Sequence, residues 1–433
     1  MFIGDSGGRQ DTGIAAGSAL RDTLSAVWTR CEFLTGHDEE FFAGLPATPA
    51  VFVLRPNAAG AEPYVSKTAN LRRRLLRLLG AADGRRLSLR ERVSAVEFLE
   101  VGGEFEAGFA LYRRLRTEFP EKYAERLHLR PAPLLQLLRE NPYPRVAVTT
   151  RIRSLRAATS YFGPFASRAE AEQYANDSLD FFLLRRCTEE LAPDPKFPGC
   201  VYSEMKMCLA PCFQGCTDQR YAEEAARVER YFESAGHSLI VEISRARDEA
   251  SEHLEFEAAA AAHARLEKLK ALQGRIAEIV HRIDQLNGLL LQPSHLAGHI
   301  ALFRICGGML QGPLAFDLRA RALKPESQPA QGGHPQSAPT QSMEARIREL
   351  LGAAEPPVPK SAQEWMEHLA ILKRWYYRTN KVGEIFFEDE HGVLPMRRVV
   401  RAVGRVLKGE KPAGDLSETA GDYWIFRSKE AGL

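Results

Sequence analysis

The sequence predicts an α+β protein built from several small units, and three observations carry that prediction. Two short apolar runs, PAVFVLRP at 49–56 and EPYVS at 62–66, flank a turn at 57–60 and read as a β-hairpin with an arginine-rich helix behind it. Residues 217–290 are rich in Ala, Glu and Arg, the composition of long helices. Five of the seven cysteines fall between 187 and 216, where apolar periodicity fades.

Element by element, residues 1–42 read as an N-terminal extension that becomes helical near Leu24–Leu34. Residues 43–135 form a compact unit: the hairpin, a helix over Asn70–Leu79, a third strand over 95–101, a break at Gly102 and Gly103, and a helix over Glu104–Leu115. Its sheet is expected to be antiparallel and three-stranded. Residues 136–216 carry YFGPF at 161–165, a helix over Ser167–Leu184 and the cysteines. A long helical hairpin is assigned to 217–292 and a strand-containing segment to 293–323, with HIALFRI as its strand. Residues 324–342, rich in Pro, Gln, Gly and Ser, have the composition of a flexible linker. Residues 343–433 close the chain as a small α+β domain, with two helical stretches and a hairpin near Asp389–Gly392.

Length and composition narrow the function classes. The chain has 433 residues, 45% hydrophobic and 26% charged, enough for two to four globular domains. The net charge of +2 does not by itself mark a nucleic-acid binder, so that case rests on local clusters. No uncharged apolar run approaches the roughly 18 residues of a membrane span, and the N-terminus lacks the apolar core of a signal peptide. A cytoplasmic protein without membrane contact is expected.

Clustered cysteines in a reducing compartment point to a metal before a disulfide framework. Cys187, Cys200, Cys208 and Cys212 follow the spacing C-x12-C-x7-C-x3-C, with Cys216 as a spare. If MCLAPC begins a helix, Cys208 and Cys212 share a face. Four thiolates suit zinc or an iron–sulfur cluster, and the spacing does not choose between them. The other reading is a set of small buried apolar side chains.

Lys67 and Arg72, Arg73, Arg74 and Arg77 follow the second strand, where cations neutralise phosphates with or without catalysis. The alternative is a solvated basic helix. KRWYYRTNK at 373–381 mixes cations with aromatics and is a further candidate nucleic-acid face. At helical spacing, however, Trp365, Trp375, Tyr376 and Tyr377 also fit a core.

These segments resemble the UvrC/Cho excinuclease family. The hairpin and helix, Ala50-Val51-Phe52, Tyr64-Val65-Ser66, Lys67 and Asn70-Leu71 with Arg74, are similar to the motif of a GIY-YIG nuclease domain. YFGPF and the RRC, GC and MCLAPC pieces are similar to the family's cysteine segment. The resemblance implies Tyr64 as base, Lys67 as its neighbour, Arg74 as phosphate clamp, and Mg²⁺ or Mn²⁺ if the site is active. It implies a 4Fe–4S cluster on Cys187, Cys200, Cys208 and Cys212, with zinc as the alternative. Leu254-Glu255-Phe256-Glu257 and the helix to 272 resemble the hairpin that docks on UvrB. Leu254, Ala258, Ala261, Arg265 and Leu269 would then form its seam, although the Arg-Asp that usually follows is replaced by His263 and Ala264.

The resemblance departs at the metal. Ungapped from Glu97, it places Leu111 where the metal-binding Glu belongs, and Glu106 lies five residues earlier, roughly 140° around the helix. Phe52 lacks the hydroxyl of the first motif tyrosine, and Ser66 stands for a glycine. Two functions therefore follow. One is a structure-specific endonuclease of nucleotide excision repair that takes its metal carboxylate from Glu97, Glu104 or Glu106. The other is a noncatalytic DNA-binding adaptor.

Overall fold

A computed structural model describes residues 27–80, 89–139, 141–153, 160–319 and 341–410. Most of the expected linker, most of the N-terminal extension and residues 411–433 of the expected C-terminal domain lie outside them. The fold is α+β, with three four-stranded antiparallel sheets. None of the described helices is long and apolar enough to cross a membrane.

The first sheet orders β1 (Thr29–Glu32), β4 (Val93–Glu100), β2 (Ala50–Pro56) and β3 (Tyr64–Thr68) side by side. The expected three strands are thus four. Residues 29–32, read as helical, pair antiparallel with 95–98 instead. After β1 comes a short helix, α1 (Asp38–Gly44). Ala50, Phe52 and Leu54 project from one face onto Leu71, Leu75 and Leu79 of α2 (Leu71–Leu79). Asn70 caps that helix, its Oδ1 accepting from the Arg73 N–H at 2.9 Å. The opposite face, through Val51, meets Val101 and Ala107 at the start of α3 (Glu104–Glu118).

After α4 (Tyr123–Leu127), the second sheet runs β6 (Arg145–Thr149), β5 (Leu134–Leu138), β7 (Ser160–Gly163) and β8 (His281–Arg282). It packs on α5 (Arg168–Leu179), which ends five residues before the expected Leu184 because Phe181, Phe182 and Leu184 turn inward to the core. A loop with one turn of helix, α6 (Val201–Glu204), carries the cysteines to α7 (Asp218–Glu233).

The hairpin proper is α8 (His237–Glu252) and α9 (Phe256–Gln273). Helix ends at 273, so the expected helical stretch to 290 is shortened by β8 and by β9 (Gly288–Pro293). The expected seam is also corrected. Leu254 sits in the turn with a left-handed φ of 62°, Ala258 and Ala261 are exposed, and Leu266, Leu269 and Leu272 form the buried row. Long leucines remove more apolar area from water than alanine methyls, so they take the inner face.

The third sheet orders β11 (Met309–Asp317), β10 (His299–Cys306), β9 and β12 (Glu384–Phe387). Around it lie α10 (Met343–Gly352), α11 (Ala362–Tyr376) and α12 (Met396–Lys408), one helix more than expected. The hairpin expected at 389–392 is a turn leading into α12, because β12 pairs with β9. Trp365 and Trp375 are core residues, their indole N–H groups donating to the carbonyls of Gly307 (2.7 Å) and Val382 (3.1 Å). Phe105 and Phe109 of α3 join the same core as Phe303 and Trp375, which binds the first sheet to the third.

Candidate nucleic-acid interface and thiol cluster

β3 is an edge strand, reachable from both faces of its sheet. Its pleat sends alternate side chains to opposite sides. Tyr64 lies opposite Leu54 with its ring 6.0 Å from Phe52, on the α2 side. There it meets Arg74, whose Nη2 donates to the Tyr64 hydroxyl at 3.3 Å. Lys67 lies opposite Val51, on the α3 side, with Nζ 3.4 Å from Glu104 Oε1. The structure therefore joins Tyr64 with Arg74 and Lys67 with Glu104, and the sheet stands between the two pairs. The period of two in YVSK was the signal that could have separated them.

The arginines of α2 differ in their surroundings. Arg72 is occupied structurally: its Nε donates to the Leu45 carbonyl at 2.7 Å and its Nη2 to the Ala43 carbonyl at 3.1 Å. Arg73 and Arg77 are exposed and Arg74 is half-buried.

None of the three substitute carboxylates joins the Tyr64–Arg74 pair. Glu104 accepts from Lys67 and pairs with Arg378, and these cations hold its carboxyl below the usual range against the opposing effect of burial. Glu106 is buried, its Oε2 accepting from the Gly102 N–H at 2.8 Å, and burial pushes its carboxyl up to about 7. Glu97 pairs with Arg55 at 2.8 Å and with Arg114, and Arg55 above all keeps it ionised. Leu111 lines a cleft with Phe105, Leu127, Leu129, Ile371 and Trp375, where Lys67, Glu104 and Arg378 supply the polar rim. Arg378 is a partner that sequence reasoning missed as a specific contact, for it lies 274 residues from Glu104 and only the basic-aromatic stretch around it hinted at a role.

In the cysteine loop, residues 208–212 are not the expected helix. Ala210 and Gln214 have left-handed φ values of 56° and 61°, and Pro211 opens a 3₁₀ turn over Pro211–Phe213. Proline has no N–H to continue a helix and disfavours helical geometry in the residue before it. Cys208 and Cys212 are thus presented by a turn. The Ala210 N–H donates to Cys208 Sγ at 3.3 Å, and Arg185 Nη1 donates to Cys187 Sγ at 3.6 Å. All four candidate ligands are half-buried. Burial pushes the Cys208 thiol up to about 11, and Cys187, Cys212 and Cys200 add to that rise through their own charge, so the four lie in one electrostatic neighbourhood. Among the described residues, no three His, Cys, Asp or Glu side chains are gathered closely enough to grip a metal ion. As a donor set, four thiols suit a soft metal or an iron–sulfur cluster.

Sequence comparison finds relatives for these features. Residues 132–231, which include YFGPF and all four candidate thiols, match the UvrC/Cho excinuclease middle domain. The wider resemblance is to proteins named UvrABC system protein C. That of Agrobacterium fabrum is 29% identical over 270 residues, covering 61% of this chain and 39% of the relative. That of Rhizobium meliloti is 32% identical over 247 residues, covering 54% and 35%. That of Rickettsia bellii is 28% identical over 261 residues, covering 59% and 40%. The chain thus spans well under half the length of these relatives. No solved structure matches it.

Proposed function

We propose that the protein is a cytoplasmic UvrC/Cho-like nucleotide excision repair protein that holds DNA by its backbone at the β3–α2 edge and does not cut at that site. The observation that carries this reading is the position of the carboxylates. Metal-assisted phosphodiester hydrolysis needs a carboxylate-held cation facing the base and the phosphate clamp. Tyr64 and Arg74 share one face of the sheet, whereas Glu104 lies on the other, bound to two cations. Leu111 occupies an apolar cleft. Arg73, Arg74 and Arg77 on α2 suit phosphate neutralisation, a sequence-independent contact, while Lys67 lies on the other face of the sheet.

On the same reading, Cys187, Cys200, Cys208 and Cys212 hold a 4Fe–4S cluster, or zinc if the segment closes on a single ion. The α8–α9 hairpin is the element that meets UvrB. Its turn supports this: Leu254 and Phe256 are each 70% exposed, an apolar tip without a partner inside the chain among the described residues.

An incision assay tests the reading. Anaerobically purified protein is added to end-labelled bubble and damaged duplexes with Mg²⁺ or Mn²⁺, with and without UvrB. The expected result is salt-sensitive binding, weakened by Arg74→Ala, and no cleavage. Cleavage that Tyr64→Phe abolishes would restore the endonuclease reading and require a carboxylate to move into the site.

A further inference from the structure

We infer that α12 is a second phosphate-backbone contact, separate from the β3–α2 edge; the inference rests on the reading of the protein as a DNA binder. α12 is two-sided. At 100° per residue, Arg397, Arg398, Arg401, Arg405 and Lys408 fall within an arc of about 100°. The opposite side, Met396, Val399, Ala402, Val403 and Val406, is buried against the third sheet and α10. The helix contains no acidic residue.

The cation face is costly as built. Arg397 and Arg401, and Arg401 and Arg405, are like charges four apart, which weakens an isolated helix. Arg405 is matched by Glu384 at 2.8 and 2.7 Å. Arg398 lies over the Phe386 ring at 5.6 Å, and Lys408 faces the exposed Glu410 at 3.7 Å. Arg397 and Arg401 have no carboxylate partner among the described residues, and both are exposed. Several half-buried arginines elsewhere are matched: Arg55, Arg116 and Arg227 each meet a glutamate. A face that repels itself gains most from a row of external anions.

Spacing and access favour a phosphodiester chain over a single anion. From Arg397 to Lys408 the helix rises about 16 Å, a length that faces several phosphates of a duplex strand at 3.4 Å per step. Gly404 lies on the same face, and a Cβ there would meet nothing within 4 Å. Mid-helix glycine costs about 1 kcal/mol against alanine, and here it leaves a gap between the cations through which a backbone can approach closely.

The test measures binding of the full chain to a labelled 30-bp duplex by anisotropy, from 50 to 200 mM salt. Arg397→Ala with Arg401→Ala is expected to make the slope of log K against log salt shallower by about 1.8 and to weaken binding at least tenfold at low salt. Arg397→Lys with Arg401→Lys keeps the charge and is expected to keep the slope. Both sites are exposed, and an unchanged melting curve checks the fold. If Arg74→Ala weakens binding while the α12 double variant leaves slope and affinity unchanged, the inference fails and the proposed function stands. If the double variant loses affinity for vesicles of three parts neutral to one part anionic lipid but not for DNA, the face belongs to a membrane and the inference fails. If the unaltered chain does not bind DNA at all, both readings fall together.

Discussion

The first sheet and the cysteine loop sit in the same chain and are held by different means. In the sheet, Phe52 is fully buried between α2 and its strand neighbours, and the row Leu71, Leu75, Leu79 closes over it. In the loop, only Ala210 and Pro211 are buried between 186 and 216, and Lys206, Ala210 and Gln214 take left-handed backbone conformations without being glycine. Such conformations cost about 1–3 kcal/mol each and persist where something else fixes the chain. The difference teaches that the sheet is sustained by apolar burial, whereas the loop has too little of it. The proposed metal or cluster on its thiols would supply the missing anchor.

The strongest way to break this contrast is to remove the proposed anchor. Cys208→Ser with Cys212→Ser is expected to abolish bound iron and sulfide, or zinc, and to open residues 187–216 to protease while the first sheet stays protected. Binding of a structural metal is worth on the order of 10 kcal/mol, so the effect on the loop should be close to complete. Mass mapping of limited proteolysis checks it, and an uncut loop would mean that the segment stands without metal. The converse is Phe52→Ala, expected to cost about 3–5 kcal/mol in denaturant melts through the cavity it leaves, with metal content unchanged.

A pH profile sharpens the picture at the back of the sheet. Burial raises the Glu106 carboxyl from 4.5 to about 7. The fold favours its protonated form, so its contribution is complete below pH 4.5 and is lost as pH rises through 7. Glu106→Gln can keep the bond from Gly102 and is expected to remove that loss. The variant should be more stable above pH 7 by an amount on the order of a few kcal/mol, and the two melting curves should converge near pH 4.5. The smallest effect expected is Asn70→Ala, about 1 kcal/mol from the lost cap of α2.

How legible each part was in the sequence follows the same division. Strands β2, β3 and β4 and helix α2 could be read because alternation, a turn and an Asn cap all act within a few residues. β1 could not, because its four residues are mostly exposed and gain their pairing from β4, more than sixty positions away. The shape of the thiol turn was hidden behind a spacing that suited a helix, although Pro211 was the local sign against one. At the candidate site, the residues were legible and their grouping was not. Tyr64 met Arg74 as the resemblance implies, while Lys67 was carried to the other face by the pleat. The cations of α12 recur every three or four residues and were visible in the sequence, but only the buried valine face showed that they form a single surface.

Gly102 sits at the join between the first and third sheets. A Cβ on it would lie 2.0 Å from the Pro293 carbonyl oxygen and 2.6 Å from Ser294 Cα. The two lobes therefore meet with no spare thickness at this point, like a door hung flush with its frame. Any side chain at 102, however small, acts as a wedge, and its first casualty would be the angle at which the β3–α2 edge is presented relative to the rest of the chain.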